Sequence, residues 1–252
     1  MCGRFVGFRP IEVLRQHFPI ERTAAEVTAN YNVAPSQEVL AIVRREDQNW
    51  LERLHWGLVP FWAKDPSIGN RLINARAETV AVKPSFRSAF RRRRCLILAD
   101  GFYEWTGPAG RKQPMFITLP GEEPFAFAGL WENWRRPGED TPEYRSCTII
   151  TTAASPSLNR IHHRMPAVLK QEVYSTWLDP NLADTQALAG LLRDRIQTEF
   201  TSRPVSREVN TTRNNRPSCI DPLFDQAVKP ANQPEPQPSS KSGSGSQTGG
   251  LP

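Results

Sequence analysis

A chain of 252 residues, 38% hydrophobic and 23% charged, suits a soluble fold of one large domain or two small ones, and it holds no run of about 18 apolar residues that would span a membrane. The net charge of +6 permits an anionic polymer as a partner without demanding one. Cys2, Cys95, Cys147 and Cys219 lie far apart with no CxxC pair, which argues against a zinc ribbon, gives no reason for a disulfide framework and points to a reducing compartment.

The chain opens on Met1-Cys2-Gly3-Arg4-Phe5, with no long apolar stretch behind it, so no secretory signal is expected. Cys is small enough for the initiator Met to be removed. Residue 2 would then carry an α-amine, with a reference pKa of about 7.7–8.0, and a thiol of about 8.5 on adjacent carbons. Such a 1,2-aminothiol condenses with an aldehyde, first to a Schiff base and then to a five-membered thiazolidine. The plainer reading of Cys2 is a small residue near a frayed terminus.

Residues 10–18 read as a short amphipathic helix, with Ile11, Leu14 and Phe18 on one face. Residues 31–36 read as an irregular loop, 39–43 as a buried strand and 50–56 as its partner. Residues 56–70 place two Trp and a Phe among Gly and Pro, which makes a loop that is either a lid on the core or a stacking surface. Residues 85–94 read as a basic helix with Phe86 and Phe90 turned inward, and the run Arg91–Arg94 as a solvated face.

A strand is expected at 95–99, running into Asp100-Gly-Phe-Tyr-Glu-Trp105, with further strands at 115–118, 125–130, 146–152 and 204–210 and helices at 171–177 and 183–196. From about Lys229 the composition turns to Gln, Pro, Ser and Gly with no apolar anchor, so residues 228–252 are expected to be a disordered tail behind a folded unit of 1–227. Many short strands, few helices and no βαβ alternation predict an α+β fold with a curved, largely antiparallel, barrel-like sheet.

Four polar residues stand beside apolar strand sequence: Cys2, Asn74, Glu104 and His162. Glu104 lies between Tyr103 and Trp105, and a carboxylate against Trp would have its pKa raised toward neutrality, as a general acid–base group needs. It is otherwise an exposed acid at a strand edge. His162 is a candidate proton donor or an ordinary packed histidine, and Asn74 a group that orients an amine or hydroxyl or a simple turn-former.

Met1-Cys-Gly-Arg-Phe5, Tyr31-Asn-Val-Ala-Pro35, Trp56-Gly-Leu-Val-Pro60 with Trp62, Ile73-Asn-Ala-Arg-Ala-Glu-Thr79, Cys95-Leu-Ile-Leu-Ala-Asp-Gly-Phe-Tyr-Glu-Trp105 and Ile161-His-His-Arg-Met-Pro-Ala-Val-Leu169 together closely resemble the SRAP (SOS response-associated peptidase) family, whose members process abasic sites. The resemblance runs from residue 2 to about residue 215. It implies that Cys2, once Met1 is gone, attacks the ring-opened aldehyde of an abasic site in single-stranded DNA and closes a thiazolidine crosslink, with no metal or cofactor. It further implies that Glu104 moves protons, that His162 protonates the sugar oxygen, and that Asn74 positions the sugar and the Cys2 amine. Arg4, Arg76 and Arg164 are the implied backbone-phosphate contacts and Thr151 a further implied DNA contact, Trp62 and Trp105 the stacking residues, and Pro35 part of a wedge that excludes duplex.

One departure stands out: where the family commonly has His-Asp-Arg, this chain has His162-His163-Arg164. Two other readings stay open, a cysteine peptidase whose one motivated cleavage is loss of Met1, and a non-covalent reader of modified or single-stranded DNA. The expected setting is a monomer in the bacterial cytoplasm at the nucleoid, or in a nucleus if the source is eukaryotic. Abasic single strands are the expected partner, with replication-fork proteins as possible company.

Overall fold

Runs of Val, Ile, Leu and Phe at strand-like spacing govern the architecture. The computed structural model describes residues 2–136 and 143–223, together with Gly250. In chain order the elements are β1 (Phe5–Gly7), α1 (Ile11–His17), β2 (Arg22–Thr23), β3 (Asn30–Val33), β4 (Glu38–Arg45), β5 (Gln48–Trp56), β6 (Asn74–Arg76) and α2 (Arg87–Arg92). Then follow β7 (Arg94–Ala99), β8 (Gly101–Thr106), β9 (Gln113–Thr118), β10 (Phe125–Trp134), β11 (Tyr144–Ala153), β12 (Arg164–Pro166) and β13 (Val168–Leu169). Last come α3 (Tyr174–Leu178), α4 (Thr185–Asp194) and β14 (Thr201–Pro204).

Five of these strands close into a ring. β5 pairs with β4, β4 with β7, β7 with β10 and β10 with β11, all antiparallel. A short parallel pairing of β11 with β5, Ser146 opposite His55 and Cys147 opposite Trp56, completes the circuit. Ile42, Leu51, Leu54, Leu96, Ile97, Phe127 and Ile149 fill the core, each fully buried side chain of this size stabilising the fold by about 1.5–3 kcal/mol. A second sheet, in the order β14-β9-β8-β1-β3, packs Phe5 and Phe102 against Phe127, with ring centroids 5.5 and 6.1 Å apart. The fold is α+β, with curved, mostly antiparallel sheets and few helices, as the sequence predicts.

Three local expectations change. Residues 30–33 are a strand, not a loop, because they pair with β1 and place Val33 opposite Phe5. The final strand lies at Thr201–Pro204 and gives way to a 3₁₀ turn at Arg207–Asn210. Pro204 has no N–H to extend a ladder, and the Ser206 hydroxyl caps the turn by accepting from Glu208 N–H at 3.2 Å. The Arg91–Arg94 run is not one solvated face. Arg94 is 2% exposed and donates to the backbone carbonyls of Trp177, Phe90, Arg91 and Asp179, tying α2 to α3. The expected tail at 228–252 lies outside the described residues apart from Gly250.

Candidate active site

The end of β11 gathers the site by register. β6 runs parallel to it, setting Asn74 opposite Ile149 and Arg76 opposite Thr151, while β12 runs antiparallel and sets Pro166 opposite Thr151 and Arg164 opposite Ala153. Thr151 is fully buried, and its carbonyl and hydroxyl accept from Arg164 Nη2 at 2.7 and 3.2 Å. The same guanidinium grips the Glu78 carboxylate with both Nη atoms. Arg164 holds the Glu78 carboxyl below its ordinary pKa through these hydrogen bonds. Arg76 is exposed beside them.

Cys2 is buried at the neighbouring edge of the core. Asn74 Nδ2 donates to its carbonyl oxygen at 2.8 Å. Burial pushes the Cys2 thiol pKa well up, the nearby Glu104 charge adds to the rise, and the Arg4 backbone N–H opposes it. The sulfur therefore rests as a thiol, and a base must take its proton when it reacts. Glu104 is 6% exposed on β8, two register positions from Phe102 and so on the same, core-facing side.

Strand alternation puts Trp105 on the opposite face of β8 from Glu104. There Trp105 packs against the cluster of Val6, Tyr103, Phe116, Val205 and Val209. The expectation that Trp105 desolvates Glu104 is thus corrected: the buried carboxylate shares the face of β8 with Phe102, which packs in the main core.

His162 stands two residues before β12. Its Nδ1 accepts from Arg164 N–H at 2.9 Å and lies 3.0 Å from the Arg164 carbonyl, so either tautomer ties Nδ1 to one backbone unit and chemistry at this ring falls to Nε2. The His163 ring stacks on it, centroids 4.4 Å apart at 23°. Among the described residues no group of three or more His, Cys, Asp or Glu side chains forms a metal-binding cluster.

Residues 1–212 match the sequence model of a family described as SOS response associated peptidase, SRAP. The chain belongs to the SRAP family. It is 43% identical over 224 residues to the abasic site processing protein YoqW of Bacillus subtilis, covering 88% of this chain and 99% of that one. The abasic site processing protein HMCES of Pongo abelii is 33% identical over 88% of this chain and 76% of its own length. The abasic site processing protein YedK of Escherichia coli is 30% identical over 88% of this chain and 100% of its own. Among solved structures, a Bacteroides thetaiotaomicron protein superposes with a TM-score of 0.69 at 25% identity, covering 86% of this chain and 91% of that one.

The SRAP motifs outside the core divide between wall and floor. In the 56–70 loop, Trp56 is a buried core residue whose Nε1 donates to Ile73 O at 2.9 Å, whereas Phe61 and Trp62 are 57% and 48% exposed. Close approach of two glycines holds that loop: a Cβ on Gly57, at φ +144°, would come within 2.8 Å of the Gly69 carbonyl oxygen. Pro35 is half-buried in the adjoining turn, where Ser36 Oγ donates to Asn70 Oδ1 at 3.1 Å. Arg4 is not simply presented to solvent. Its Nη1 donates to Asn32 Oδ1 and the Val209 carbonyl at 2.6 and 2.7 Å, and its guanidinium lies 5.8 Å from the Trp105 ring centre.

Sequence reading passed over two residues that organise this SRAP site. Glu78 lies inside a quoted motif, but its partner is 86 positions away. Asn32, also inside a motif, is buried and donates to the carbonyls of Val209, Thr211 and Asn214, pinning the last described segment against β3. A buried Asn next to a turn-forming Pro looks like turn chemistry in sequence alone.

Proposed function

We propose that this chain processes abasic sites in single-stranded DNA by forming a covalent crosslink through Cys2 after Met1 is removed. The observation that carries the reading is the grip of Asn74 on the Cys2 carbonyl, with the Glu104 charge acting on the thiol. It is supported by the relatives, which are named as abasic site processing proteins. Asn74 Oδ1, buried and without a hydrogen-bond partner, is the acceptor we assign to the Cys2 α-amine.

In this account the α-amine adds to the C1′ aldehyde of the ring-opened sugar. Proton transfer expels one water and leaves the imine. The Cys2 sulfur, passing its proton to Glu104, then adds to the imine carbon and closes the thiazolidine. The net change is the loss of one water, with no oxidation or reduction. His162, through Nε2, supplies the proton at the sugar oxygen as the ring opens. Arg76 and Arg164 hold the flanking phosphates, Thr151 fixes Arg164, and Trp62 with Pro35 stacks and wedges beside the gap.

Incubation of the processed protein with single-stranded DNA bearing one abasic site should give a heat-stable adduct. A form retaining residues ahead of Cys2 should bind the strand but form none. Equal adduct yields from the two forms would overturn the reading.

A further inference from the structure

Behind the reactive terminus lies a closed circuit of polar groups that the proposed chemistry does not use. Asn32 Oδ1 accepts from Arg4 Nη1 at 2.6 Å, and the Val209 carbonyl accepts from the same nitrogen at 2.7 Å. Asn32 Nδ2 turns to the carbonyls of Val209, Thr211 and Asn214, at 3.2, 3.0 and 2.7 Å. One buried amide thus ties Arg4 to the last described segment of the chain.

That segment is itself fixed. After β14 the chain makes 3₁₀ turns at Arg207–Asn210 and Pro217–Ile220, which pack on β9 and β3. Asn215 Oδ1 accepts from Tyr31 N–H at 2.7 Å, Arg203 Nε donates to the Ile220 carbonyl at 3.3 Å, and Val205 pairs with Pro222. Cys219 is fully buried beneath it. Residues 207–223 therefore form a strap over the small sheet.

Arg4 carries the hold to Cys2. Its backbone N–H hydrogen-bonds the Cys2 sulfur, and its carbonyl accepts from Tyr103 N–H at 2.9 Å. The Tyr103 hydroxyl in turn donates to the Tyr31 carbonyl at 2.8 Å. The residue that touches the sulfur is thus clamped by its backbone to β8 and by its side chain to Asn32 and the strap.

We propose that Asn32 is a positioning residue for the crosslinking reaction: it locks the strap to Arg4, and Arg4 keeps the Cys2 sulfur where ring closure needs it. Asn32 acts through Arg4, not on the reacting atoms. This role rests on the proposed thiazolidine reading and adds a support outside the catalytic set.

Asn32→Asp in the full chain tests it. The variant keeps an acceptor for Arg4, removes the donors to the strap carbonyls and sets a carboxylate against them. Hydrogen exchange of the peptide over residues 2–8 should speed about twofold to tenfold, as for one lost hydrogen bond, with exchange along β10 unchanged. In single-turnover reactions with an abasic single strand, the maximal rate should fall about tenfold to a hundredfold, while the half-saturating strand concentration stays within about twofold. The imine trapped by borohydride should form at the wild-type rate, because the strap holds the sulfur and not the amine. Asn215→Ala, at an exposed position of the strap, should show the same pattern at smaller size and serves if Asn32→Asp does not fold.

Exchange that quickens equally along β10, or an unchanged maximal rate in a folded variant, would overturn the role. A wild-type protein that forms no adduct would sink the proposed function, and the exchange experiment would still decide whether the strap holds the terminus.

Discussion

Asn74 Nδ2 donates to the Cys2 carbonyl oxygen at 2.8 Å across 72 positions of sequence, while Asn74 Oδ1 is buried without a partner. One side chain thus fixes the backbone of residue 2 and offers an acceptor beside it. Asn74→Asp keeps an acceptor and loses the donor, turning a carboxylate oxygen toward the Cys2 carbonyl. Adduct formation in single-turnover experiments should slow about tenfold to a hundredfold, the equivalent of about 1–3 kcal/mol for a lost buried hydrogen bond, with the fold retained.

Glu78 holds the Arg164 guanidinium through both Nη atoms, and in the proposed account DNA phosphate competes with it for that group. Glu78→Gln should release Arg164, tighten binding to undamaged single strands and steepen the salt slope by about 0.7. The pH dependence follows from the lowered Glu78 pKa. The stability contributed by the pair is present above the unfolded carboxyl value and is lost as pH falls through the lower folded value. With the Glu78 side chain 51% exposed, that contribution stays within about 1 kcal/mol. A melt of Glu78→Gln at neutral pH checks the size, and an unchanged salt slope would show that Arg164 does not meet phosphate.

Arg94 separates the members of the arginine run. Arg94→Met leaves four backbone carbonyls at the junction of α2 and α3 without their donor, so urea unfolding should show a loss of about 3–5 kcal/mol. Arg91→Ala and Arg92→Ala, on exposed positions, should each stay within about 0.5 kcal/mol of wild type.

The stack of His163 on His162 makes a distinct forecast. His163→Ala removes the stack, and adduct formation should slow about twofold to tenfold, in keeping with an aromatic pair of about 0.5–1.5 kcal/mol. His163→Phe keeps a flat ring in place and should restore most of the rate. If Phe fails where His succeeds, the second imidazole acts through its proton and not through packing.

These residues also show how far the sequence could be read. The apolar runs at 39–43, 95–99, 125–130 and 146–152 announced the barrel strands, because burial on both sides demands Val, Ile, Leu and Phe there. The closure of the ring was invisible. It rests on the pairing of Ser146 with His55 and of Cys147 with Trp56, and nothing local in either strand encodes a short parallel contact. Arg94 looked like its three neighbours because charge patterning does not reveal which guanidinium meets a cluster of helix-end carbonyls. Cys2 and Asn74 were legible as candidates by residue type, but their contact is a product of the β6–β11 register. Trp105 was assigned to the side of Glu104 by adjacency, when strand alternation sends neighbours to opposite faces.

Glu104 is the base the account requires for the sulfur. Glu104→Gln retains the shape and removes the proton acceptor, and it should slow ring closure about a hundredfold to ten-thousandfold. The imine formed by the amine should still be trapped by borohydride. Loss of both products would mean that Glu104 acts at the first step.

The central claim is that residue 2 carries the DNA through both nitrogen and sulfur. Digestion of the heat-treated adduct and mass mapping of the modified peptide tests it most directly. The account predicts a modification confined to an N-terminal Cys2, with the mass of the sugar fragment less one water, a blocked thiol, and no heat-stable adduct from Cys2→Ala without a reductant. A modified lysine, a free Cys2 thiol in the adduct, or an equally stable adduct from Cys2→Ala would contradict it.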